Sequence, residues 1–176
     1  MNKAKLATVW LDGCSGCHMS LLDMDAAIIS LARKIDLVYG PLVDAQEFPD
    51  GVDVVLVEGA VSSQDDLNKL QKIRSRSHVL VSLGDCAVTG NVPAMRNSVS
   101  VNKLLQRIYI DGAQDKPVIP VDRVPALLQH ARPLREFVKV DFYLPGCPPP
   151  AKAITSLLTD LLEGRKVEAG NKVKFG

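Results

Sequence analysis

Four cysteines carry the chemistry open to this sequence: Cys14, Cys17, Cys86 and Cys147, spaced as C-x2-C, then 68 residues to the third and 60 more to the fourth. Thiolates bind zinc and iron–sulfur cores or exchange disulfides. A C-x2-C by itself fits zinc or a redox pair equally well. Each cysteine sits beside small or turn-forming residues, in Gly13-Cys14-Ser15-Gly16-Cys17, Gly84-Asp85-Cys86 and Pro145-Gly146-Cys147-Pro148-Pro149-Pro150. Glycine lets backbone approach a bulky inorganic core, and the amides of such loops can donate to its sulfurs. Pro148 is expected to stiffen its loop and to stand at the start of the following helix.

The elements that position these residues are legible from periodicity. Leu6–Leu11 is a short apolar run ending at Asp12-Gly13, and Asp53–Val57 and His78–Leu83 are similar runs ending at Glu58-Gly59 and Gly84-Asp85. Such runs predict strands buried on both faces. Leu37–Tyr39 and Val140–Leu144 predict two more. Met24, Ile28, Leu31 and Ile35 are spaced as one face of a helix. Ser62 or Ser63 is placed to cap a helix carrying Leu67, Leu70 and Ile73, and Ile154–Leu162 forms a helical stripe that Gly164 stops. Strands alternating with helices predict an α/β fold, a parallel sheet with helices on both faces. In that arrangement all the cysteines follow strands at the carboxyl edge, where open α/β sheets bind ligands.

The predicted domain is 1–165, with 166–176 a solvated C-terminal tail. Residues 91–139 interrupt the rhythm: a short helix near Val101–Ile108 and a turn or two of helix over Ala126–Ala131 are expected, among Pro117, Pro120, Pro125 and Pro133. So long an excursion reads as an insertion that covers a site or faces a partner.

Lys+Arg is 21 against Asp+Glu 20, a balance that points to no nucleic-acid or acidic-membrane partner. No run reaches the length of a membrane span, and no signal peptide is legible, so a cytoplasmic protein with no membrane contact is expected. In that compartment the cysteines read as ligands rather than disulfides. Structural zinc remains an alternative, although it usually serves small modules that lack a core. The dispersed spacing resembles no plant-type [2Fe–2S] pattern.

Leu11-Asp-Gly-Cys14-Ser-Gly-Cys17-His-Met-Ser-Leu-Leu22 resembles the first cluster-binding loop of [NiFe]-hydrogenase small subunits. Glu58-Gly-Ala60, Gly84-Asp-Cys86-Ala-Val-Thr-Gly90 and Leu144-Pro-Gly-Cys147-Pro-Pro-Pro150 follow in the order of that family's other landmarks. The related complex I subunit is similar too, but has adjacent cysteines where this chain has Cys14-x2-Cys17. The resemblance implies a flavodoxin-like domain whose four cysteines ligate one proximal [4Fe–4S] cluster, facing a nickel–iron centre in a separate large subunit. The lack of a second cluster domain makes the chain similar to the small subunit of soluble NAD-reducing hydrogenases, whose diaphorase partners hold FMN, NAD and more clusters. F420-reducing and sulfhydrogenase relatives rank second. FMN is not expected in this chain, because the turn that binds phosphate in flavodoxins carries Cys14 and Cys17 here.

Glu58 ends a strand on the cysteine edge, where the family pattern has an acid. It is a candidate proton relay, or else a partly solvated carboxylate holding a loop. His18 could donate to the cluster or a partner, though a locally bonded, helix-capping role is the plainer reading. His78 and His130 read as structural. Trp10 reads as a packing residue, and Arg96 as a contact to the large subunit or an ordinary solvated arginine.

Overall fold

The computed structural model describes residues 3–167. Five strands form one parallel sheet: β1 (Ala4–Trp10), β2 (Ile35–Tyr39), β3 (Val52–Glu58), β5 (Ser77–Leu83) and β7 (Phe142–Leu144), in the order β2-β1-β3-β5-β7. Two short strands stand apart, β4 (Val61–Ser63) and β6 (Leu127–Arg132), paired antiparallel. The chain thus winds outward from β1 in both directions, the order of flavodoxin-like sheets. The predicted fold class is correct.

Strand alternation divides the apolar residues between two cores. Ala7, Val9, Val55, Val57 and Leu80 face α3 (Gln64–Arg76), with Leu70 and Ile73. Leu6, Val54, Leu56, Val81 and Leu83 face the opposite side, against α1 (Gly16–Leu22), α2 (Ala26–Ala32) and α7 (Ala151–Leu162). Ile154, Leu157 and Leu158 of α7 are fully buried, each contributing about 1.5–3 kcal/mol of hydrophobic stabilisation. Ser63 caps α3 in a capping box with Asp66, and Gly164, at φ 62, follows the end of α7 as expected.

Three expectations need correction. Met24, Ile28, Leu31 and Ile35 do not lie on one helix: α1 stops at Leu22, Asp25 turns left-handed at φ 48, and Ile35 opens β2. All four still pack into one core, because periodicity reports which side is buried and not whether the backbone is continuous. Ala126–Ala131 forms no helix, since most of it is β6. Its helix-forming composition yields to pairing with β4 and to two side chains: Asn97 exchanges two 2.8 Å bonds with the Ala131 backbone, and Arg96 donates to Leu128 O at 2.9 Å. Pro148 does not open α7, for which Pro150 is the N-cap.

The 91–139 excursion is more ordered than expected. It contains α5 (Asn91–Ala94), a 3-10 turn (Met95–Ser98), α6 (Val101–Gln106) and a π turn (Arg107–Asp111) before β6. From 113 to 126 it has neither helix nor strand. The site side of the sheet also carries α4 (Gly84–Thr89) directly after β5. Among the described residues no helix is long and apolar enough to cross a membrane. Most of the predicted tail lies outside the described residues.

Arg74 locks the outer part of the sheet. It donates to Asp141 Oδ2 at 2.6 Å and to the carbonyls of Ser77 and His78, while Leu80 N–H donates to the same carboxylate at 2.8 Å. Burial opposes ionisation of Asp141, but the Leu80 amide and Arg74 outweigh it and hold the carboxyl below its ordinary value. The depressed folded-state value means that this stabilisation is present above the unfolded carboxyl's value and is lost as pH falls through the folded one. Arg74→Ala is expected to cost about 2 kcal/mol at neutral pH. The difference from wild type should shrink in urea titrations carried down to acid pH.

Candidate metal centre

Four loops at the carboxyl edge build the site. The first follows β1 and is stapled to the loop after β3: Leu11 N–H donates to Glu58 O at 3.0 Å, and Asp12 and Ala60 exchange two bonds of 3.1 and 2.7 Å. Gly59, at φ 89, makes this possible, since a Cβ there would stand 2.7 Å from Leu11 C. Trp10 is 44% exposed and its Nε1–H donates to Gly13 O at 3.1 Å, so packing alone does not explain it; it steadies the Cys14 loop. Ser15 turns left-handed at φ 65, and Gly16 N–H then reaches Cys14 Sγ at 3.4 Å.

The third and fourth loops are clamped by one residue. Asp85 N–H donates to Gly146 O at 2.9 Å, and its Oδ1 accepts from Gly146 N–H at 2.7 Å. Asp85 therefore fixes the loop of Cys86 to that of Cys147. Ser20 Oγ donates to Pro149 O at 2.5 Å, tying α1 to the same loop. Gly84, at φ 81, leaves room for Cys17 Sγ, which a Cβ at that position would overlap.

All four cysteines line one cavity that opens to solvent, together with Glu58, Asp85 and the flanking glycines. Cys14 and Cys147 are exposed at its mouth, and Cys17 and Cys86 lie deeper. The sulfurs ring a space rather than meet at a point. Among the described residues no three His, Cys, Asp or Glu side chains are arranged to hold a single metal ion.

Among the described residues no cationic side chain lines the cavity. Burial, then Glu58, then the Cys86 and Cys14 sulfurs push the Cys17 thiol far above its ordinary value. Cys86 is raised by burial and by Cys147, against the Val92 N–H that favours its thiolate. The buried Cys17 and Cys86 thiols become thiolates readily only when a ligand brings positive charge. A multi-iron core supplies that charge and fills the space between dispersed thiolates, so the residues fit the iron–sulfur group that the sequence suggests.

Glu58 is 2% exposed, which overturns its reading as a partly solvated carboxylate. Its Oε2 accepts the His18 backbone N–H at 2.8 Å. The His18 ring places Nδ1 3.0 Å from the same oxygen, close enough for an ion pair but off the line of an aligned hydrogen bond. His18 thus belongs to the Glu58 contact and does not line the cavity. His78 and His130 are exposed at the start of β5 and on β6. Arg96 is half-buried, and its guanidinium donates to Ser62 O, Leu128 O and Gln129 O, so it is more than an ordinary solvated arginine. Two polar residues escaped the sequence reading, Asp85 and Asn91. Asp85 looked like turn punctuation, and only the left-handed Gly90-Asn91 pair could have drawn attention to Asn91.

Residues 14–161 match the family model described as NADH ubiquinone oxidoreductase, 20 Kd subunit. The delta subunit of the NAD-reducing hydrogenase HoxS from Cupriavidus necator is 37% identical over 97% of this chain and 84% of its own length. A subunit of the vhu F420-non-reducing hydrogenase from Methanocaldococcus jannaschii is 35% identical over 96% of this chain, which spans 59% of that relative. Among solved structures, a chain of an NAD+-reducing [NiFe]-hydrogenase in the H2-reduced state superposes with a TM-score of 0.91 at 39% identity, covering 95% of both chains. The chain belongs to the 20 kDa-subunit family and, within it, to the small subunits of [NiFe]-hydrogenases.

Proposed function

We propose that this chain is the electron-transfer subunit of a cytoplasmic [NiFe]-hydrogenase of the NAD-reducing kind, in which Cys14, Cys17, Cys86 and Cys147 ligate one proximal [4Fe–4S] cluster. The observation that carries the reading is the convergence of four thiols from three separate strand ends on one cavity that no cationic side chain lines among the described residues. The 39% identity and TM-score of 0.91 to a chain of an NAD+-reducing [NiFe]-hydrogenase support that type. When bound, the cluster supplies a one-electron relay between the nickel–iron site of a large subunit and a flavin- and NAD-binding diaphorase module. The chain's own residues hold the sulfurs in register, through Asp85 and the Leu11–Ala60 staple, and keep Cys17 half-buried. FMN is not part of the proposal for this chain, because the β1–α1 turn is given over to cysteines; flavin released at one per isolated chain would overturn that.

The partner face is proposed to surround the cavity mouth. Trp10, Met19, Val92 and Met95 are exposed apolar residues on the cysteine-bearing segments and on the excursion after α4, as a lasting interface requires. The 91–139 excursion is proposed to extend this face through Val118 and Val121, the latter 87% exposed.

The test is EPR on the anaerobically purified chain, as isolated and after dithionite, with iron and sulfide quantified. About four irons and a reduced S = 1/2 signal are expected. Zinc without iron or signal, in protein never exposed to air, would leave a structural four-cysteine site. Glu58 is proposed as a proton relay beside the cluster. Glu58→Gln in the assembled complex is expected to lower turnover by at least about tenfold and to flatten its pH profile. Unchanged turnover across pH would leave the carboxylate as a loop anchor alone.

A further inference from the structure

One turn beside the site reaches sulfurs from two different strands. Gly90 and Asn91 are both left-handed, at φ 95 and φ 30, and this conformation aims the turn back over the cavity. The Asn91 side-chain Nδ2–H donates to Cys147 Sγ at 3.5 Å, and the next residue's backbone N–H, that of Val92, bonds the Cys86 sulfur. The turn is anchored by Gly90 N–H to Cys86 O at 3.0 Å and Ala94 N–H to Gly90 O at 3.1 Å. Glycine would satisfy the backbone at position 91 with less strain, and asparagine is the residue type that tolerates the conformation while adding an amide donor.

We propose that Asn91 is a positioning residue whose side-chain N–H holds the Cys147 sulfur and raises the reduction potential of the cluster that this sulfur ligates. The inference rests on the cluster reading above. A donor to a ligating sulfur favours the redox state with more negative charge on that sulfur, which is the reduced one. The Cys14 and Cys86 sulfurs receive backbone donors, which no side-chain substitution removes. Asn91 is therefore a place where a point change can move the poise.

The decisive variant is Asn91→Gly, because it keeps the left-handed turn and deletes only the donor. In EPR-monitored redox titration its ratio of reduced to oxidised cluster at a fixed ambient potential should fall about tenfold, a 59 mV drop in midpoint for a one-electron couple. Asn91→Asp, which puts an acceptor in the same place, should fall at least as far. If neither variant retains iron, wild-type protein labelled with 15N at the asparagine side-chain amides decides instead. Nitrogen hyperfine coupling to the reduced cluster supports the bond, and its absence overturns it. A loaded wild type whose midpoint Asn91→Gly leaves unmoved defeats this inference alone. A wild type with no iron and no signal defeats the cluster reading beneath it.

Discussion

Cys17→Ala protein is expected to emerge from anaerobic purification with well under half the wild type's iron and no S = 1/2 signal after reduction. Cys17 is held deeper than Cys14 and Cys147, in the first turn of α1, with Glu58 and Gly84 against it. Its position is set by Glu58 at the end of β3 and Gly84 at the start of α4, so no nearby thiol can move in to replace it. A core deprived of that ligand would be open to solvent on its most protected side and would shed iron. The same substitution should lower thermal stability only in protein that wild type holds loaded. Metal-binding energy is folding energy, and it disappears with the fourth ligand. Iron and sulfide assays with melting curves on loaded and chelated protein check this. Four irons retained in Cys17→Ala would remove that cysteine from the ligand set.

Gly59→Ala should be severely damaging, costing about 3–4 kcal/mol. Two penalties add. The position is left-handed at φ 89, which costs an L-residue about 1–2 kcal/mol. A Cβ would also press within 2.9 Å of Asp12 backbone and closer still to Leu11, and neither strand-end segment can retreat without breaking the staple that shapes the Cys14 loop. Gly84→Ala has the same backbone strain but meets a sulfur, so iron loading should suffer more than the stability of the metal-free chain. Gly51 serves as the control: its φ is 66, yet nothing lies within 4 Å of its Cβ position, so Gly51→Ala should cost only about 1 kcal/mol. Urea denaturation of the metal-free proteins is expected to order them Gly59, Gly84, Gly51. Equal costs at 59 and 51 would mean that the loop yields and that its close backbone contact is not a constraint.

Much of the architecture was legible before any coordinates. The runs at Leu6–Leu11, Asp53–Val57 and His78–Leu83 are apolar because both faces of a parallel strand are covered, and each falls within or beside an observed strand. Glycines and cysteines directly after those runs placed the candidate site at the carboxyl edge. The stripe from Ile154 to Leu162 and the Ser63 cap were readable because helix burial and capping repeat at short, fixed intervals. The Met24–Ile35 stripe misled for the same reason: residues facing one core keep a helical spacing even across the break at Asp25.

The amino-acid order thus determined, unaided, the α/β class, the strand-end placement of the four thiols and which strands would be covered on both faces. These follow from local periodicity and from turn chemistry within a few residues. Tertiary structure alone decided that Ala126–Ala131 would pair as a strand, that Arg96 would be spent on carbonyls, that Glu58 would be buried against His18, and that Asp85 and Asn91 would reach the Cys147 loop. The last two contacts span 61 and 56 residues of chain. Hydrogen bonds between such distant segments leave no period in the sequence, because their geometry exists only after the sheet has brought the loops together.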